Sequence, residues 1–267
     1  MDISHKNHYE EIGTIIMCYP YSFKLKKLSF KWLNHKKMLK QYDDFVNLLI
    51  NEGAKIQFLD PIYGSNQIFT RDVGFVIDNI LFISKLANKK REKETLALKS
   101  YAKDNQITMY EMNNYIEGGD VIIYNEYVFI GMSSRTTVEA AKELQNYLNL
   151  SKKNYKVITI RFNKEKMLHL DCVFNILDDN HAMISDYVYD RKLIEDKIQN
   201  IYYIDNKTTR ELGINIVTLG KKRIITSNKK VKKDLEERGF NAFYLDYSEI
   251  SKAGGSFGCS TLPVFRK

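Results

Sequence analysis

Four short segments carry residues able to do chemistry: Phe69-Thr70-Arg71-Asp72, Glu117-Gly118-Gly119-Asp120, Leu168-His169-Leu170-Asp171, and the stretch from Gly254 to Pro263 that contains Cys259. Together they offer a thiol, an imidazole and several carboxylates, the groups enzymes use for covalent attack, proton transfer and cation binding. Taken singly, each has an ordinary structural use. Carboxylates cap helices and hold turns, a glycine pair makes a turn, and a histidine between leucines is commonly a satisfied core residue. Their meaning depends on the elements that position them.

Apolar runs rich in Val, Ile, Tyr and Phe alternate with helix-period stretches, which reads as mixed α/β with an internal period. From Asp72 the order is a strand (Val73 to Ile77), a polar turn at Asp78-Asn79, a strand (Ile80 to Ser84), a charged helix near 90–104 and a strand (Thr108 to Met112). The same order restarts at Asp120, with a turn at Asn125-Glu126 and a helix near 136–148. It restarts at Asp171, with a turn at Asp178-Asp179-Asn180 and a helix near 189–199, and again at Asn215, with a turn at Gly220-Lys221 and a helix near 229–238. A C-terminal strand around Cys259–Phe265, the N-terminal strand Gly13–Tyr19, a helix near 36–52 and the strand Lys55–Leu59 join into a fifth unit.

The repeats begin 44 to 51 residues apart, a period found in propellers and arrays. A ring closed by pairing the two chain ends removes its sheet edges. In such a ring all first strands start at one end of the axis, so Asp72, Asp120, Asp171 and Cys259 converge there, with Arg71, Glu117 and His169 just ahead of them. An ordinary α/β sandwich with accidental spacing is the competing architecture.

In this order, at the mouths of successive repeats, the four segments resemble the guanidine-modifying superfamily of arginine deiminases, dimethylarginine dimethylaminohydrolases and arginine:glycine amidinotransferases. The resemblance covers roughly Asn66 to Arg266. It implies the pentein fold, a five-bladed α/β propeller of ββαβ repeats, here as a single catalytic domain over residues 1–267. It further implies Cys259 as nucleophile, His169 as general acid and base, Glu117 as partner of the histidine, and Asp72 and Asp171 as clamps on a guanidinium. Arg135 and Arg91 match positions that grip an amino-acid carboxylate, and Asn66, six residues before Asp72, matches a third polar contact. Either arginine also reads as a solvent residue near a helix start.

Elementary chemistry agrees with these roles. A guanidinium is a planar cation that paired carboxylates hold bidentately, leaving one face of its carbon open to sulfur. One imidazole then protonates the departing amine and later takes a proton from the hydrolytic water. The resemblance implies no metal or other cofactor. A zinc site from His169, Asp171 and Cys172 conflicts with strand geometry, because neighbouring residues on a strand point to opposite faces.

Two features leave the substrate open. The chain is short, as in dimethylarginine hydrolases, whereas its Gly-Gly-Ser-Phe-Gly-Cys259 segment is nearer to deiminases. The expected reaction converts arginine or an N-methylated arginine to citrulline plus ammonia or a methylamine. Amidino transfer to an amine uses the same residues, and a non-enzymatic ribosome- or RNA-binding protein of the same fold is the alternative of a different class.

The bulk properties set outer bounds. The 267 residues suffice for one large core, and the formal charge of +8 comes from basic clusters scattered along the chain, as on a solvated surface. No window approaches a membrane span, and the first residues lack the apolar core of a signal peptide. These features imply a cytoplasmic protein without nucleic acid or membrane as partner and leave a homodimer open, while the resemblance implies a small-molecule guanidino substrate. Cys18 and Cys172 read as small hydrophobes in apolar strands, and His5, His8, His35 and His181 as surface or turn residues. Gly64-Ser65 and the basic loop at 22–36 are the candidate lid segments.

Overall fold

The computed structural model describes residues 2–21, 23, 32–62 and 66–267. Gly64, Ser65 and most of the basic loop named as lid candidates lie outside these residues.

Continuous apolar runs become strands buried on both faces. Gly74–Ile77, Ile80–Ile83 and Val121–Tyr124 are buried at every position, whereas the third strands, such as Met109–Glu111, are half-exposed. That gradient sets the radial order, with each repeat's first strand innermost. Among the described residues the strands form five three-stranded sheets, a five-bladed α/β propeller of ββαβ repeats. Each first strand pairs antiparallel with the second, and the second runs parallel to the third through a helical crossover.

The hairpins use residues that tolerate the left-handed backbone. Asp78 at φ 55°, Asn125 at φ 52°, and Lys221 and Lys222 at φ 51° and 59° supply the positive torsions that two-residue turns require. The crossover helices show one apolar stripe. In His35–Asn51 the buried residues are Met38, Gln41, Tyr42, Phe45 and Leu49, and Asn34 caps the start by accepting from the Lys37 N–H.

The fifth sheet joins the chain ends: Leu262–Arg266 pairs antiparallel with Ile12–Met17, which pairs parallel with Lys55–Phe58. Local differences from the sequence reading are concentrated at the blade mouths. Asp72, Asp120 and Asp171 sit in one-turn 3-10 helices, Thr70–Val73, Gly118–Asp120 and Leu170–Cys172, ahead of the strands they were expected to open. Cys259 likewise lies in a turn three residues before the strand that begins at Leu262. The crossover helix of the repeat that begins at Asp171 is short, Arg191–Glu195, and Asn206–Arg210 adds a helix that was not expected.

His5 and His8 are also not surface residues. The N-terminal segment bridges to Asp78 and Phe265 and buries both rings against one another, centroids 4.6 Å apart. Burial lowers the pKa of both, with Arg266 and Arg71 acting in the same sense on His5.

Candidate active site

The 3-10 turns bring neighbouring blades into backbone contact, and glycines make that approach feasible. A Cβ on Gly118 would stand 2.2 Å from the Arg71 carbonyl oxygen, and one on Gly119 would stand 2.8 Å from His169 Nδ1. The missing side chain of Gly119 is thus the space that His169 occupies, and that of Gly118 the space of the Arg71 backbone. Gly119→Ala is expected to lower turnover by about 100-fold, the cost of an ångström-scale misplacement, with little change in the folded population. Steady-state kinetics beside a thermal melt check this.

His169 is fully buried, and its Nε2 lies 2.8 Å from Glu117 Oε2, while Nδ1 faces Asp72 Oδ1 at 3.6 Å. Burial alone lowers the imidazole pKa, but Asp72, Asp120 and the hydrogen bond to Glu117 outweigh it and hold the ring protonated well above its usual range. Glu117 also lies 3.4 Å from Arg135 Nη1, and its backbone N–H donates to Thr136 Oγ1.

Cys259 is pinned through its backbone. Its N–H donates to Asn215 Oδ1 at 3.1 Å, and its carbonyl accepts from the Arg71 N–H at 3.1 Å. Phe257, two residues earlier, is wedged between Phe45 and Tyr247 with ring centroids 4.4 and 4.3 Å away. The turn that carries the thiol is therefore anchored in the core.

A cavity of about 130 Å³ opens over these groups, lined by Asn66, Asp72, Arg91, Arg135, His169 and Cys259 among others. Glu117 stands behind His169. Asp171 instead lines a separate axial cavity of about 30 Å³ with Arg71, His8 and Arg266. One of its carboxylate oxygens still lies within 4.8 Å of the Cys259 sulfur, and Oδ2 has no hydrogen-bond partner. Burial raises the Asp171 pKa, opposed by His169 and Arg71.

Arg91 is engaged within the protein. Its Nη1 donates to Asp72 Oδ2 at 2.7 Å, and Nε and Nη2 donate to Glu94 Oε2 at 3.0 and 2.8 Å. Glu94 Oε1 in turn accepts from the Asn66 N–H. Removing one partner from such a buried network costs about 3–5 kcal/mol, since it strands a charge. Asp72 Oδ1 is left without a hydrogen bond.

Strand alternation does not separate Asp171 from Cys172. Because Leu170–Cys172 is a 3-10 turn, Asp171 and Cys172 do face one region: their donor atoms and Cys259 Sγ lie within 4.8 Å of one another. Asp72, Glu117 and His169 form a second set of that kind. Cys172 is likewise not a plain strand hydrophobe, since it lines the cavity with Cys259.

Residues 50–211 match the family model for arginine deiminase. The chain belongs to the arginine deiminase family. It is 31% identical to the uncharacterized protein YkgA of Bacillus subtilis (strain 168), over 98% of this chain and 94% of YkgA. Among solved structures it is similar to the N-terminal domain of ArgZ, an arginine dihydrolase from cyanobacteria, with a TM-score of 0.85 at 22% identity over 96% of this chain and 98% of that one. It spans 37% of full-length ArgZ from Synechocystis sp.. It is also similar to SxtG, an amidinotransferase from Microseira wollei, with a TM-score of 0.82 at 17% identity over 99% and 97% of the two chains. The arginine deiminase family and these folds place it in the guanidine-modifying superfamily.

Within this arginine deiminase family site, Glu94 and Asn215 escaped the sequence reading as contributors, and Asp120 was placed at the mouth without a role. Glu94 holds Arg91 and Asn66, yet in Lys-Lys-Arg-Glu-Lys-Glu it looks like one more solvent charge. Asn215 has a clearer signal, because it opens the fourth repeat in the register of Asp72, Asp171 and Cys259. Asp120 opens its repeat too, but acts as a brace: it accepts from Ser133, Thr136 and the Leu170 N–H, tying the His169 turn to its neighbour.

Burial raises the Asp120 pKa from 3.8 to about 7, despite His169 and those hydrogen bonds. The folded value exceeds the unfolded one, so this contribution to stability is fully present below pH 3.8 and is lost as pH rises to about 7. Asp120→Asn is expected to flatten that part of the profile. Melting temperatures of both proteins between those limits check it.

Proposed function

We propose that this chain is a cysteine hydrolase acting on the guanidinium of arginine or an N-methylated arginine. The observation that carries the reading is the arrangement around one cavity of Cys259, the His169–Glu117 pair and the partly free Asp72 carboxylate.

In this reading Asp72 and Asp171 hold the planar cation by paired hydrogen bonds, with Asp72 Oδ1 ready to accept. Cys259 sulfur attacks the guanidinium carbon. The bond from that carbon to a terminal nitrogen breaks as His169 supplies a proton, releasing ammonia or a methylamine and leaving a thiouronium on Cys259. His169, now neutral, takes a proton from water, whose oxygen attacks the same carbon and expels the sulfur, giving citrulline. Glu117 keeps the ring oriented through both halves. Arg135 and Arg91 grip the substrate carboxylate, for which Arg91 exchanges one of its present bonds.

The chemistry uses no metal or other cofactor. An ion held by these donors competes with the substrate cation for the same carboxylates. Among the described residues no helix is long and apolar enough to cross a membrane. A small guanidino compound is the only partner the reaction needs.

The test is a panel of arginine, monomethylarginine, dimethylarginine and agmatine, with amine and ureide products measured and Cys259→Ser as control. Citrulline from arginine or a methylarginine, in the absence of any added amine, supports the reading. Turnover that requires an acceptor amine assigns amidino transfer. Salt-dependent RNA binding unaffected by the cysteine, without turnover, assigns the non-enzymatic alternative.

A further inference from the structure

Cys172 is a buried thiol at the site that the proposed chemistry leaves unused. Its sulfur, the Cys259 sulfur and an Asp171 carboxylate oxygen lie within 4.8 Å of one another, and both cysteines line the same cavity. Asn215 handles both from one amide: Oδ1 accepts from the Cys259 N–H at 3.1 Å, and Nδ2 faces Cys172 Sγ at 3.8 Å. Neither cysteine is in a strand. Cys172 ends a 3-10 turn and Cys259 sits in a turn, so no strand ladder fixes either side chain. Cys18, the third cysteine, packs in a different core cluster with Ile16, Leu59 and Leu262.

We propose that Cys172 is a resolving thiol, forming a reversible disulfide with Cys259 when a small-molecule disulfide enters the cavity. A disulfide bond is about 2.0 Å long, so the two sulfurs close the remaining gap by side-chain rotation. Cys259 thiolate attacks one sulfur of the small disulfide, forming a mixed disulfide and expelling the first small thiolate. Cys172, giving up its proton, then attacks Cys259 Sγ, and the second small thiolate leaves. The protein pair loses two electrons and two protons, and the small disulfide becomes two thiols. Closure removes the nucleophile and bars guanidine binding, and a dithiol reductant reverses it.

The order of attack follows from the surroundings. The Cys172 thiol is pushed well above its usual range by sharing a hydrogen bond with Cys259, by burial and by Asp171. It therefore attacks second, after the mixed disulfide has removed the first of those causes. A bulky adduct in a cavity of about 130 Å³ is crowded, which favours its expulsion.

The experiment treats the reduced, full chain with oxidised glutathione, caps free thiols under denaturing conditions and maps the peptides. The expected product lacks glutathione, is lighter by a pair of hydrogens, yields a linked Cys172–Cys259 peptide, and leaves only Cys18 to cap. In Cys172→Ala the glutathione adduct on Cys259 is expected to rise about tenfold over wild type. Equal adduct in both proteins, a bond involving Cys18, or no linked peptide in wild type overturns the proposal. The wild-type map decides alone if the variant does not fold. Since the readout is mass and not turnover, the result is independent of which guanidine the protein processes.

Discussion

Cys259→Ser is expected to lower turnover by about 10⁴-fold or more while leaving the fold and substrate affinity nearly intact. The change replaces sulfur by a smaller oxygen of far weaker nucleophilicity at neutral pH, and the side-chain neighbour it alters is the Cys172 thiol. Both contacts that hold the turn are made by backbone atoms, the Cys259 N–H to Asn215 and its carbonyl from Arg71, so they survive. Asp72 and Asp171 still face a cation. The checks are product formation, a thermal melt and calorimetric titration with the preferred guanidine. Residual activity above about one per cent places the nucleophile elsewhere.

His169→Gln is expected to cost about 10²- to 10⁴-fold, the usual worth of a positioned acid–base group. Its signature differs from that of the cysteine variant. The thiol is retained, but the departing amine is no longer protonated and water is no longer deprotonated, so both half-reactions slow, and the intact mass shows which of them limits. A pH series separates a chemical from a packing effect. Burial lowers the imidazole pKa, yet Asp72, Asp120 and Glu117 raise it well above 6.5 on balance, which keeps the proton donor loaded through neutral pH. The raised folded value means that its contribution to stability is full below pH 6.5 and is lost as pH rises through the folded pKa. The stability gap between wild type and His169→Gln should therefore narrow with rising pH.

The propeller was legible because its repeats are punctuated by residues with few alternatives. Asp78, Asn125 and the Gly220–Lys222 turn mark hairpins, and uninterrupted apolar runs mark strands buried on both faces. The blade mouths were less legible. A 3-10 turn of three or four residues has no periodicity to detect, so Asp171 and Cys172 were read as strand residues and Asp72 as the start of a strand. That error hid the second thiol, since strand alternation turns Cys172 away from Asp171 whereas a 3-10 turn does not.

Long-range partners were hidden for a different reason. Nothing local marks His5 and His8 for burial, because the N-terminal arm acquires its environment only by docking on Asp78, Ile123 and Phe265. Similarly, Arg91 and Glu94 read as members of a solvated basic run until Asp72 and Asn66 complete their network.

The pairing of Leu262–Arg266 with Ile12–Met17 bears on how the protein acquires its competence. The other four sheets draw their strands from contiguous stretches of chain, so they can form early and locally. This one must join ends some 250 residues apart, and loop-closure entropy makes such contacts late in folding. The thiol sits three residues before that last strand. During refolding, circular dichroism should recover ahead of the thiol's placement. A circular permutant that links the present ends and opens an outer loop of another blade would make the closing sheet local and shorten that delay.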